Sequence, residues 1–65
     1  MLFLKNYYWN YLCGLLDYME EHNIEDICLE AEIISLRWTI RKSSSVDDFM
    51  IKRLIKINRK FEEIL

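Results

Sequence analysis

Residues 24–42 read IEDICLEAEIISLRWTIRK, and the apolar side chains of this segment recur at helical spacing in two opposed stripes. Charged and polar residues separate the stripes on both flanks. A helix with two apolar faces needs a neighbour on each side, so this segment predicts the central helix of a bundle. The first stripe consists of Ile24, Ile27, Ala31, Ile34 and Trp38, and the second consists of Leu29, Ile33, Leu36 and Ile40.

Polar breaks bound this segment on both sides. Asn23 ends the first break and is predicted to cap the helix that follows. Ser45 ends the second break and, together with Asp48, has the pattern of a capping box for the next helix. The sequence therefore predicts a single helical domain over residues 1–65. Its three helices are expected at about 3–21, 24–42 and 46–64.

The third predicted helix has the clearest amphipathic pattern. Its apolar residues follow one another at alternating steps of four and three, a seam typical of antiparallel hairpins and coiled coils. We expect this seam to pack on one stripe of the central helix and the first helix to pack on the other. The fold class is therefore all-α, a three-helix bundle or a helical hairpin with an extra helix, joined by short connections. The seam consists of Met50, Leu54, Ile57, Phe61 and Ile64.

A chain of 65 residues has little capacity for a hydrophobic core of its own. A domain of about 60 residues buries only about 60% of the surface that its unfolded chain exposes. Two cysteines are too few for a disulfide framework, so we expect a homodimer or a higher oligomer. The residues predicted to form the core or a self-association seam are Ile27, Ile34, Trp38, Met50, Leu54, Ile57 and Phe61.

The first predicted helix is apolar over more than half of its circumference, which is more than one neighbouring helix covers. Large exposed apolar patches mark interaction sites, and Tyr and Trp dominate the energetics of protein interfaces. Burial of these rings in the core or in a homo-oligomer, and stacking of bases on them, are the alternatives. The aromatic cluster contains Phe3, Tyr7, Tyr8, Trp9 and Tyr11, of which the last four are the candidate partner-binding residues.

Charge is divided unevenly along the chain, although the net charge is only -2. Residues 1–33 carry Lys5 against seven acidic residues, whereas residues 34–65 carry eight basic and four acidic residues. The basic residues of the third helix are candidates for contact with an acidic partner, with a nucleotide held between subunits, or with nucleic acid. The net negative charge argues against DNA. These candidates are Lys52, Arg53, Lys56, Arg59 and Lys60.

Side chains suited to catalysis or metal binding are sparse. His22 is the single histidine, and no paired Cys or His residues occur at the spacing of a zinc site. There is no Gly-rich phosphate loop and no nucleophile paired with a base, so we expect no enzyme activity, no metal and no cofactor. Polar residues such as Lys5, Asn10 and Asp17 interrupt the apolar N-terminal stretch, which predicts no membrane span and a cytoplasmic protein.

Glu32-Ile33 and Leu36-Arg37 precede the second break. Through these residues, the predicted hairpin of the second and third helices resembles the two-helix sporulation phosphatases of bacilli. Residues 58–62 read NRKFE at the place where that family has Ser-Gln-Glu-Leu-Asp. Because the defining motif is absent, no functional residue is carried over from that family.

The expected function is that of a small non-enzymatic regulator, inhibitor or adaptor, encoded by a bacterium or a phage, that binds another protein through helix surfaces. The wide apolar arc of the first helix and the two apolar faces of the second motivate this expectation. One alternative is an oligomeric module that binds a nucleotide or signalling ligand between subunits. The other is nucleic-acid binding through the basic face of the third helix.

Overall fold

The computed structural model describes the backbone of residues 2–64 and the side chains of residues 4–64. These residues form three helices, α1 (Leu2–Glu21), α2 (Ile27–Lys42) and α3 (Asp48–Ile64). The predicted all-α class and the number of helices are confirmed. The starts of α2 and α3 lie three and two residues later than expected, because other residues cap them.

The helices α2 and α3 begin with the same capping interaction. The Asp26 carboxylate accepts a hydrogen bond from the Leu29 amide at 3.0 Å, and the Asp47 carboxylate accepts one from the Met50 amide at 2.9 Å. Each cap satisfies an amide that the first turn leaves without a helical partner. In both helices the capped amide belongs to a buried core residue. The prediction of a capping box starting at Ser45 is therefore wrong.

Asn23 ends α1 instead of beginning α2, which corrects its predicted role. Its φ angle of 53° lies in the left-handed region, which Asn tolerates better than most residues. The Ile24 amide donates to the Met19 carbonyl at 2.9 Å, and the Asn23 amide donates to the Glu20 carbonyl at 3.3 Å. These two bonds form a Schellman motif, and Ile24 then packs against the core beside α1.

Lys5 connects the beginning of α1 to the end of α2. Its Nζ atom donates to the backbone carbonyls of Arg41, at 3.2 Å, and of Ser43. The negative end of the α2 dipole and its unpaired carbonyls favour a cation at this place. Ser43 completes the cap because its amide and its hydroxyl both donate to the Thr39 carbonyl, at 3.1 and 2.8 Å. The two helices are therefore antiparallel.

One hydrophobic core receives side chains from all three helices. The α2 backbone lies close to both α1 and α3, whereas within the described chain the backbones of α1 and α3 do not approach each other. The helix α2 is therefore central, as predicted. The buried core residues are Leu12, Met19, Leu29, Ile33, Leu36, Ile40, Met50, Ile57 and Phe61, with Leu54 partly buried against them.

Both neighbours pack on the same stripe of α2, so the expectation of one stripe for each neighbour is wrong. The core lies between the three helices, and the four buried residues of α2 all belong to the second stripe. Within α2 the first stripe points outward, with Ile27 83% and Trp38 45% exposed. Of the residues predicted for the core or a self-association seam, Met50, Ile57 and Phe61 lie in the core, whereas Ile27, Trp38 and the half-buried Ile34 lie on this outward stripe.

Replacing Asp26 or Asp47 by Ala is expected to lower the free energy of unfolding by about 1 kcal/mol, because each substitution removes the acceptor for a core residue's amide. Urea unfolding followed by far-ultraviolet circular dichroism measures this loss. The Asn variants keep a capping oxygen and serve as matched controls with a smaller loss. Equal losses for Ala and Asn would contradict the capping role.

One Ile→Val substitution in each apolar stripe of α2 tests which stripe is buried in the core. Ile33→Val is expected to lower the free energy of unfolding by about 0.5–1.5 kcal/mol, because it leaves a cavity in the core. Ile27→Val is expected to change it by less than about 0.5 kcal/mol. The same urea titration compares the two variants, and a larger loss at Ile27 would mean that its side chain is buried in solution.

Candidate functional site

The four candidate aromatic residues of α1 leave the helix in different directions. Tyr8 is half-buried and packs against the core, and its ring meets the Tyr7 ring edge-on at 5.3 Å. Tyr7 is 58% and Tyr11 38% exposed. Trp9 is half-buried on the opposite flank, against α2. The four residues therefore do not form one continuous patch, and the side chain of Phe3 lies outside the described residues.

Tyr11 borders a groove between α1 and α3. Its hydroxyl donates to the Asn58 side-chain oxygen at 2.8 Å and so links the two helices. The groove has a volume of about 620 Å³, and apolar side chains form its floor, where the Tyr18 and Phe61 rings lie 6.1 Å apart. We call it the α1–α3 groove. Its lining residues are Asn10, Tyr11, Gly14, Leu15, Tyr18, Asn58, Phe61 and Glu62.

Gly14 lies in the interior of α1, on the rim of the α1–α3 groove. A Cβ atom added to Gly14 would have no atom within 4 Å, apart from the local helix backbone. Glycine in a helix interior costs about 0.5–1 kcal/mol relative to alanine. The packing of the described chain therefore does not require glycine here. Tyr7, Tyr11 and Tyr18 share its face of α1, so the glycine forms a gap in a row of rings.

The opposite flank of α1 carries a tryptophan–arginine cluster formed by Trp9, Trp38, Arg37 and Arg41. The two indole rings meet edge-to-face at 5.7 Å. The guanidinium groups of Arg37 and Arg41 lie 4.8 and 5.0 Å from the Trp9 ring centroid, which is within cation–π range. Arg37 also donates to the Cys13 sulfur at 3.4 Å, while its buried Nε atom has no hydrogen-bond partner among the described residues.

The sequence pattern does not predict this cluster, because helical spacing places Trp9 beside the tyrosines of the first helix and Trp38 on an apolar stripe of the second. The available signal was the matching spacing of four residues, from Trp9 to Cys13 on one helix and from Arg37 to Arg41 on the other. Residues four apart share a helix face, so two such pairs can meet across an antiparallel contact.

The five basic candidates of α3 are divided between solvent and the α2 interface. Arg53 is half-buried and donates to the hydroxyls of Ser35 and Thr39, at 3.1 and 3.4 Å. Its role in the structure is to join α3 to α2. Lys60 is exposed beside Asp26 and Glu32 in a small hollow. The remaining exposed basic side chains are Lys52, Lys56 and Arg59. Contact of these residues with a nucleotide or with nucleic acid stays a prediction.

Three further features complete the surface. Cys13 is half-buried and Cys28 exposed, and both are free thiols. His22 stacks on Tyr18 at the end of α1, with the ring centroids 4.1 Å apart. Within residues 2–64, no group of three or more His, Cys, Asp or Glu side chains is arranged to hold a metal ion. None of the three described helices combines the length and the hydropathy needed to cross a membrane.

Comparison with known proteins adds no relative: no family model, no characterised protein and no solved structure matches this chain. The surfaces of the molecule itself therefore carry the information about its function.

Gly14→Ala is expected to raise the free energy of unfolding by about 0.5–1 kcal/mol, because alanine favours the helix and its methyl group meets open space. Thermal and urea unfolding measure the change. Asn10→Ala is the matched control, because it changes another residue on the rim of the groove and gains less helix propensity than Gly14→Ala does. A loss of stability in Gly14→Ala would show that the position is sterically constrained.

Proposed function

We propose that this chain is a small non-enzymatic regulator, inhibitor or adaptor that binds an amphipathic helix of another protein in the α1–α3 groove. The observation that carries the proposal is the open apolar groove with Gly14 on its rim, a helix-interior glycine without a packing role in the chain itself. A helix laid in this groove would complete a four-helix bundle, and helix-in-groove binding is a recurrent mode of peptide recognition.

The lining of the groove defines the chemistry of the helix that fits it. Leu15, Tyr18 and Phe61 need an apolar ridge with residues at helical spacing. The exposed Glu62 carboxylate on the rim favours a Lys or Arg on the bound helix. At Gly14 the absence of a side chain lets the backbone of the bound helix approach α1 closely. The proposed ligand is therefore an amphipathic helix with a basic residue beside its apolar face.

The dimensions of the groove indicate a reversible interaction. The α1 side of the groove runs from Asn10 to Tyr18, which is about 12 Å along a helix axis. Such a contact covers two to three turns of a bound helix and falls below the area of about 1,200 Å² where stable interfaces begin. A reversible contact suits regulation. We place it in the cytoplasm, where thiols such as those of Cys13 and Cys28 stay reduced.

A library of helical peptides displayed on phage tests the proposal directly when it is panned against the folded chain. We expect enriched peptides to share an apolar ridge with a neighbouring Lys or Arg. Amide NMR shifts should change at Asn10, Gly14 and Asn58 when such a peptide is added. Gly14→Arg fills the groove from a position with free space around it, so it should weaken peptide binding by about tenfold or more while the helical fold is kept.

Asn6→Arg is the matched control, because it adds the same side chain to the same helix outside the α1–α3 groove. It should bind the enriched peptides as the unmodified chain does. Peptides that bind both variants equally, or shift changes confined to Lys52, Lys56 and Arg59, would refute the groove as the binding site. The absence of any enriched helical peptide would refute it as well.

A further inference from the structure

The face of the molecule away from the α1–α3 groove is apolar at its centre. Ile27, Ala31, Ile34 and Trp38 follow one another along the outward side of α2 at steps of four, three and four residues. Ile27 and Trp38 are large and exposed, Ala31 is exposed, and Ile34 is half-buried. We call this surface the outer face. These residues have the spacing of a coiled-coil seam, so a second helix with a similar apolar stripe can pack along them.

Charge is polarised along the flank of this face that lies beside α1. At the end near residues 22–26, Asp17, Glu20 and Glu30 line one shallow hollow, and none of its described lining residues is basic. At the other end, Lys5 and Arg41 line the hollow beside Trp9, and none of its described lining residues is acidic. On its α1 flank, the apolar centre of the outer face therefore lies between an acidic end and a basic end.

We propose that a second copy of this chain binds the outer face in an antiparallel arrangement with twofold symmetry. Antiparallel pairing of the two α2 helices places the acidic end of each copy on the basic end of its partner, twice per dimer. Parallel pairing would place acid beside acid and base beside base, which is unfavourable. Of the two orientations, the charge distribution supports only the antiparallel one.

The apolar spacing defines the register of this dimer. With the twofold axis between Glu32 and Ile33, Ala31 faces Ile34 of the partner and Ile27 faces Trp38 of the partner. The small Ala31 at the centre allows the two helices to approach closely.

In the same register Glu30 lies near the partner's Arg37. The Arg37 Nε atom is the buried polar atom that has no hydrogen-bond partner in the described chain. An acidic neighbour from the second copy would balance the Arg37 charge, which within the chain contacts only a ring face and a sulfur among its described partners. The two copies would thus complement each other in charge as well as in shape.

The test is sedimentation equilibrium of the full chain at concentrations from about 1 to about 500 µM, because dimer formation follows mass action. We expect a dimer that dissociates on dilution within this range. Ile27→Lys should be monomeric throughout with unchanged circular dichroism, because this side chain is 83% exposed in the monomer. Phe49→Lys removes another exposed apolar residue, on α3, and should dimerise like the unmodified chain.

The contribution of the charge pairs to the dimer is tested separately. Glu30→Lys should weaken the dimer about tenfold, since two attractive pairs become repulsive. NaCl at about 1 M, where the screening length is about 3 Å, should also weaken it.

Cysteine crosslinking tests the orientation in a Cys13→Ser, Cys28→Ser background. In the antiparallel dimer a mixture of Ala31→Cys and Ile34→Cys chains forms disulfides faster than Ala31→Cys alone. A chain that stays monomeric at all concentrations would overturn the proposal. Loss of the dimer in Phe49→Lys but not in Ile27→Lys, or faster crosslinking of Ala31→Cys alone, would overturn it too.

Discussion

Burial of one stripe of α2 by both of its neighbours is the interaction on which the rest of the structure depends. Leu29, Ile33, Leu36 and Ile40 are almost fully buried, and the core residues of α1 and α3 gather around them. Nearly all of the apolar burial that stabilises so small a domain is therefore centred on a single helix face. The caps at Asp26 and Asp47 place Leu29 and Met50 at the entry of their helices into this core.

A core centred on one stripe leaves other apolar surface uncovered, and the uncovered surface divides into two faces. Between α1 and α3 the helices are joined by side chains such as Tyr11 and Asn58 instead of by close backbone contact, and a groove follows from this wider spacing. On the other side of the molecule, the outer face of α2 ends at Trp38, which contacts Trp9 of α1. The functional and self-association proposals use these two faces separately, so both contacts can form on one molecule.

The sequence predicted the number, the type and the approximate bounds of the helices, because apolar periodicity reports directly on amphipathic helices. It could not tell which stripe of α2 lies inside. Both stripes have suitable apolar residues, and the choice depends on where α1 and α3 cross the helix. The sequence cannot place the caps, because Asn, Ser and Asp all cap helices, whereas the backbone angle and the hydrogen bonds at Asn23 show that it ends α1. Tyr7 and Tyr11 are exposed, as the sequence pattern of α1 suggests. The groove is also lined by Gly14 and by residues of α3, which no local sequence pattern connects with Tyr11.

The contact of Lys5 with the end of α2 has a consequence for the dynamics of the chain. The two residues joined by the Lys5–Arg41 bond are 36 positions apart, so this contact closes a long loop and has little support from local structure. Helix ends fray separately when nothing joins them. Here the first turn of α1 and the last turn of α2 share one lysine, so fraying of either end breaks a contact that also holds the other end.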